Sequence, residues 1–327
     1  MKADWRVAEE AWAKEGVAWA EAVLVRTQHS SPRQPGSRLA VAADGRMAGG
    51  VSMGCVENDL REHLLGILRG EGEERMVHYG VAFGESLEVG LSCGGEIDVW
   101  LRKGGNEEPE PESGRRVMVM RLAPGGAAGY WREGEPVRAE WAALEERVRR
   151  AAERGGTWCG DGWFVQGILP EPRVVITGAS PIAVDLCALA ARAGWRVEVV
   201  DPRRAFAGAE RFPDAARVIH EWPEEGLEAA GIGPDDAVAV LAHDGKLDVP
   251  ALAAALRAGC GYVGLLGSSG TVEARKRALR EEGFDEETLG RIRGPIGFKA
   301  LGGVEPAEIA VSILAEMIQW RHRAAGR

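Results

Sequence analysis

Val174-Val175-Ile176-Thr177-Gly178-Ala179-Ser180-Pro181-Ile182-Ala183 announces the architecture of the second half of the chain. Four strand-forming residues run into a glycine, and a serine then stands directly before a proline. Serine is a preferred helix N-cap and proline suits the first helical position, so a strand here turns sharply into a helix. Ile182, Leu186 and Leu189 then recur at helical spacing. The same alternation continues to the C-terminus. Strands are predicted at Val197–Val200, Arg217–Ile219, Ala237–Leu241 and Tyr262–Leu266, between helices at Pro181–Ala193, Glu224–Ala230, Val249–Ala258, Thr271–Glu282 and Pro306–Arg323. Near-continuous Val/Ile/Leu strands separated by helices imply a parallel sheet covered on both faces. Residues 173–327 are therefore expected to form a Rossmann-like, doubly wound α/β domain.

The turn itself is an incomplete nucleotide fingerprint. Asp201 ends the next strand, where an acid can accept from ribose hydroxyls. Of the fingerprint glycines, only Gly178 and the permitted alanine Ala183 are present; Ser180 puts a Cβ where a pyrophosphate would approach. Three readings follow: a fold-building turn, a phosphate site of another kind, or an NAD(P) site in an oxidoreductase.

The first half has a different texture. Strands are predicted at Ala22–Arg26, Met76–Phe83, Ile97–Leu101 and Val117–Leu122. Asp44-Gly45 joins Arg38–Ala43 to Arg46–Val51 as a hairpin. Val56, Leu60, Leu64, Ile67 and Leu68 mark one helix, stopped by Gly70, and Glu140–Arg154 marks another. Residues 1–150 read as a smaller mixed α+β domain and 151–172 as a linker containing a hairpin-like piece at Trp163–Leu169. Lys103–Gly114, with Pro109, Pro111 and several Glu, reads as an exposed acidic loop.

The 327 residues carry a formal net charge of -10 with no dense Lys/Arg run, which argues against a general nucleic-acid binder. No apolar run is long enough for a membrane span, and Met1–Gly16 does not read as a secretory signal. Five cysteines without a C-x-x-C fit thiols in a reducing cytoplasm. Two of them sit in glycine-rich loops. Gly54-Cys55-Val56-Glu57 opens the first amphipathic helix, where the dipole favours a thiolate and uncovered amides suit an oxo-anion. Glu57 has two readings there, as part of the helix cap or as an acceptor for a ligand. Ser92-Cys93-Gly94-Gly95-Glu96 leaves the second sulfur accessible ahead of a strand. Soft thiolates suit a soft or high-valent metal, or sulfur transfer, so Cys55 and Cys93 are the candidate metal-contacting pair. The alternative for each is a small buried hydrophobe. Cys159, Cys187 and Cys260 read as structural.

These motifs, taken in order, resemble the XdhC/CoxI family. Gly54–Glu57 and Cys93–Val99 are similar to the two signature stretches of its N-terminal domain. Asp201-Pro202-Arg203, Arg211-Phe212-Pro213, His243-Asp244, Asp248–Leu252, Tyr262–Ser268, Arg275, Pro295–Gly297 and Glu308–Ile313 resemble the series in its Rossmann-like C-terminal domain. The likeness spans roughly residues 20 to 320. It implies a non-catalytic chaperone that binds molybdenum (molybdopterin) cofactor, supports its sulfuration and delivers it to a xanthine dehydrogenase-type or CO dehydrogenase-type apoenzyme. The implied partners are that molybdenum hydroxylase apoenzyme, a cysteine desulfurase and a second copy of the chain in a homodimer. Gly178-Ala179-Ser180-Pro181 departs from the family's fuller Gly-x-Gly-His turn, and Met53 stands where a second glycine is common. The residues expected to meet the cofactor are Gly54, Cys55, Glu57, Cys93, Gly94, Gly95, Gly178, Ser180, Asp201, Arg203, His243, Asp244, Gly267 and Ser268. Helix N-terminal amides and Arg203 would take its phosphate.

Overall fold

The computed structural model describes residues 4–31, 33–80, 95–110 and 114–324, in two compact units divided after Leu169. The N-terminal unit opens with a helix absent from the sequence reading, α1 (Asp4–Glu15). It continues through β1 (Trp19–Gln28), β2 (Arg38–Ala42), β3 (Met47–Gly49), α2 (Glu57–Arg69), β4 (Arg75–Tyr79) and β5 (Glu96–Lys103). Next come β6 (Arg116–Arg121), β7 (Ala128–Arg132), α3 (Glu145–Arg154), β8 (Gly156–Gly160) and β9 (Trp163–Ile168). The first five strands form one antiparallel sheet, ordered β3-β2-β1-β5-β4, and the last four a second, ordered β7-β6-β9-β8.

Alternation along β1 explains the layering. Ala20, Ala22 and Leu24 pack with Leu60, Leu64 and Ile67 of α2. Val23 and Val25 point the other way, into Met118, Met120, Tyr130 and Phe164 of the second sheet. The first sheet thus lies between α2 and the second sheet. Each fully buried leucine of α2 contributes about 1.5–3 kcal/mol, and Gly70 ends the helix in the left-handed conformation, as its position predicts.

Two sequence expectations are corrected here. Residues 151–172 are not a linker over most of their length. β8 and β9 lie within them, and β9 pairs with β6 from Arg116 to Arg121, burying Phe164 and Val165 in the core. The loop after β5 is not simply exposed acid either. Glu107 enters a buried charge network where α1 and the two sheets meet. Arg38, 2% exposed, bonds through Nη1 to Glu21 at 3.0 Å and to Glu107 at 2.6 Å. Arg102 pairs with Glu21 at 3.2 Å and donates to the Asn106 carbonyl at 2.8 Å. The Tyr130 hydroxyl donates to Glu107, and Arg6 of α1 reaches Glu110 at 2.6 Å. Burial opposes the Glu107 charge, but Arg38 outweighs it and holds its pKa at about 2.

Glu9 of α1 shows the opposite balance. Its Oε1 is buried without a donor among the described residues, and burial plus the nearby charge of Glu21 push its pKa up to about 8. The folded protein therefore holds a proton that the unfolded chain releases above the ordinary carboxylate range. Stability should fall as pH rises from about 4.5 to about 8, by up to about 1.4 kcal/mol per unit, while Glu107 contributes slope only in more acid solution. Urea unfolding of the N-terminal unit across this window should show the decline, and Glu9→Gln should flatten it.

The C-terminal unit follows the predicted alternation. Its elements are β10 (Arg173–Thr177), α4 (Pro181–Arg192), β11 (Arg196–Val200), β12 (Arg217–Ile219), α5 (Pro223–Ala230) and β13 (Asp236–Val240). They continue with α6 (Gly245–Arg257), β14 (Tyr262–Leu265), α7 (Ser269–Glu281), α8 (Glu286–Gly290), β15 (Ile292–Arg293) and α9 (Pro306–Ala324). All six strands are parallel, ordered β12-β11-β10-β13-β14-β15. Leu186 of α4 and Ile313 and Met317 of α9 pack on Val174, Ile176 and Val197 of one face. Leu227 of α5, Leu252 of α6 and Leu279 of α7 pack on Val175, Val238 and Val263 of the other. The strand order reverses between β10 and β13, so the crevice such sheets offer to ligands lies at their C-terminal ends.

Candidate functional site

In the N-terminal unit, the loop between β3 and α2 is organised by Glu57. Its carboxylate accepts from the backbone amides of Val51 (3.1 Å), Ser52 (2.7 Å), Gly54 (2.9 Å) and Val56 (3.3 Å), and from the Ser52 hydroxyl at 2.5 Å. Ser52 Oγ in turn accepts from the Cys55 amide at 3.1 Å. Burial would raise the Glu57 pKa, but the Ser52 hydroxyl and the converging amides lower it overall. The anion cradle read from this loop therefore exists and holds the chain's own carboxylate. Glu57 thus ties down the loop that precedes α2, while Val56 at the N-cap makes no side-chain capping bond. Ser52 escapes the sequence reading because it stands five residues before its partner, outside the familiar three-residue capping spacing.

Cys55 is half-buried on this loop and packs at the edge of the α2 core. Gly54 adopts φ +102°, which few residues other than glycine tolerate. Met53, beside it, is 75% exposed. In the second thiol loop, Cys93 and Gly94 lie outside the described residues. Gly95 is buried, and a Cβ there would stand 1.9 Å from the Ser30 carbonyl oxygen, so close chain packing accounts for this glycine.

In the C-terminal unit, Asp201 ties the strand ends together. It is fully buried, and its Oδ2 accepts from the Ala179 amide (2.7 Å) and Arg203 Nη2 (2.7 Å). Its Oδ1 accepts from the Arg203 amide (2.8 Å) and Nε (2.9 Å). Burial alone would raise its pKa; Arg203 and the two amides bring it below the usual range. A carboxylate offers about four acceptor directions, and all are used, leaving none for a ribose. In this arrangement Asp201 fixes the Gly178–Ser180 turn and aims Arg203. Ser180 caps α4 as predicted, accepting the Ala183 amide at 3.3 Å with Pro181 following.

His243 and Asp244 follow β13. His243 is exposed with φ +58°, an uncommon conformation for a non-glycine residue. Asp244 caps α6 through the Lys246 amide (3.0 Å) and is close enough to raise the Arg203 pKa. Gly267 and Ser268 follow β14, and Ser268 caps α7 through the Thr271 amide at 3.2 Å. The four strand-end groups thus belong to one sheet edge, and Asp201, Arg203 and the Gly178 turn are directly joined. One pair at this edge enters the sequence reading only as motif residues: Asp248, fully buried, bonds Arg275 Nε at 3.2 Å. Asp248 falls at the fourth position of α6 and Arg275 midway along α7, so no spacing in the sequence links them. Cys187 and Cys260 are buried, their thiols pushed up by burial to about 11 and about 12, which fits the structural reading. Among the described residues no His/Cys/Asp/Glu group is placed to hold a metal ion, and no helix is long and apolar enough to cross a membrane.

Comparison with known proteins matches both halves. Residues 174–317 match the XdhC Rossmann domain, and residues 12–80 match the XdhC and CoxI family. The chain is 28% identical over 325 residues to a protein of Bacillus subtilis named as a probable xanthine dehydrogenase subunit, covering 93% of each. It is 29% identical over 298 residues to the molybdenum cofactor insertion chaperone PaoD of Escherichia coli, covering 91% of this chain and 82% of that one. A crystal structure described as a xanthine dehydrogenase from Bacillus halodurans superposes with a TM-score of 0.70 at 25% identity, over 98% of this chain and 96% of the other. With the thiol loop in one unit, the Rossmann strand ends in the other, and family matches falling on both, the chain belongs to the XdhC and CoxI family.

Proposed function

We propose that this protein holds molybdenum cofactor as cargo and inserts it into a molybdenum hydroxylase apoenzyme. The observation that carries this reading is the alignment to an insertion chaperone over 91% of the chain, which includes both units. Two local features support it. Cys55, a soft donor, sits on a loop shaped by Glu57. Arg203, held by Asp201, keeps a partly exposed guanidinium at the strand ends, suited to a terminal phosphate. In this reading the cargo stays bound while its terminal sulfido ligand is installed, with a cysteine desulfurase as the sulfur source. The saturated carboxylate of Asp201 weighs against the NAD(P) oxidoreductase alternative.

The test is co-expression with cofactor synthesis, followed by molybdenum and pterin analysis of the purified protein. Stoichiometric cofactor is expected, and loss of one soft ligand in Cys55→Ala should lower retention or delivery by roughly tenfold. Unchanged retention and delivery in both Cys55→Ala and Cys93→Ala would remove the thiols from the reading. Micromolar binding of NADH or NADPH in equilibrium dialysis would promote the oxidoreductase instead.

A further inference from the structure

One residue beyond the Ser180 cap, the outer face of α4 opens into a groove of about 640 Å³. Pro181, Val184 and Ala188, at successive helical turns, form one wall. Phe212-Pro213 forms a second, and Pro306-Ala307, at the start of α9, a third. Apolar surface extends past the rim: Val304, next to the groove residue Glu305, is 79% exposed, and Leu301 is 57% exposed.

Four carboxylates edge this groove, those of Asp185, Glu210, Asp214 and Glu305. None of their side chains has an ion pair or hydrogen bond among the described residues. Arg211, the one cation among the groove residues, makes no ion pair with them among the described residues and directs Nη1 to the carbonyls of Ala179 (3.4 Å) and Phe206 (2.5 Å), so the acids still outnumber it four to one. Glu198, by contrast, is met by Arg173, Arg196 and Arg217. The field reaches the groove floor, where Cys187 is held in its thiol form by burial and by the charge of Asp214.

We propose that this groove docks a basic, amphipathic segment of a partner protein, with leucine-like side chains in the groove and Lys or Arg against the four acids. Apolar anchors in a groove supply most of the affinity of such contacts, and rim charges supply selection and speed of encounter. A second copy of this chain is a poor occupant, since its net charge of -10 would face an acidic rim. The proposal does not rest on the cofactor reading, and no residue assigned there lines the groove.

The test uses the full-length protein and a labelled synthetic peptide with Leu at i, i+3, i+4 and i+7 and Lys elsewhere, followed by fluorescence anisotropy. A twin peptide with Glu in place of Lys is the control. The Lys peptide is expected to bind, more weakly at high salt, and the Glu peptide is not. Asp185→Lys with Asp214→Lys should raise Kd by about tenfold or more, and Ala188→Phe, which fills the wall without changing charge, should do likewise. Glu281→Lys with Glu287→Lys, outside the groove, should leave Kd within about twofold, since exposed charges remote from a contact contribute little. The proposal is overturned if the two peptides bind alike, if the groove variants bind like wild type, or if the remote pair loses as much as the groove pair.

Discussion

Replacing Arg38 by methionine is expected to destabilise the N-terminal unit by about 3–5 kcal/mol, a large share of what a typical domain possesses. The cost comes less from the lost contacts than from what stays behind. Among the described residues, Glu21, 2% exposed, would keep only Arg102 as a cation, and Glu107 would keep the Tyr130 hydroxyl and the more distant Arg6 at 3.5 Å. Denaturant unfolding of the purified variant measures the loss. A second substitution gives the sign of the explanation: Glu107→Gln added to Arg38→Met should recover part of the stability, because it removes the charge that Arg38 neutralised. If Arg38→Met unfolds like wild type, the network contributes nothing and the buried placement of Glu107 is wrong.

The second large effect is expected at Gly178, for a reason that no ligand enters. Gly178 has φ +94°, and a Cβ built there would lie 2.3 Å from Ala242 Cα and 2.4 Å from its amide nitrogen. Neither backbone can retreat easily. The Gly178 amide donates to the Val200 carbonyl at 2.9 Å, and the Leu241 amide donates to the Thr177 carbonyl at 2.8 Å. Gly178→Ala combines left-handed strain of about 1–2 kcal/mol with a backbone overlap, so a loss of about 3 kcal/mol or more is expected in the C-terminal unit. Gly270→Ala is the matched control. It lies in the first turn of α7, and its Cβ would meet nothing closer than Ser268 Oγ at 3.7 Å. Alanine there should be neutral or stabilising by up to about 1 kcal/mol. Thermal unfolding of the two variants side by side separates these outcomes. Equal Tm values would mean that the β10–α4 turn does not need its glycine.

The contrast between Gly178 and Gly54 shows how far sequence reading carries into the site. Both glycines stand at a turn into a helix, and each reads as leaving amides open for an anion. Around Gly54 the amides are taken by Glu57, and beside Gly178 the Ala179 amide is taken by Asp201. Sequence places a carboxylate near an amide but does not say whether it turns inward. At α6 the expected start falls too late. Pro250 suggests a beginning at Val249, whereas Asp244 accepts the Lys246 amide and begins the helix at Gly245, so the proline sits inside.

The doubly wound half is written in local sequence: its strands are buried on both faces, so their apolar runs are continuous, and the order of strand and helix follows with them. The family likeness is equally legible, since it rests on short contiguous motifs. Which partners the charged groups take is settled instead by packing. Arg38 meets Glu107 across 69 positions, and Arg275 meets Asp248 across 27. Long-range pairs of this kind arise only when separate elements come together and exclude water, and no local pattern of residue types encodes them.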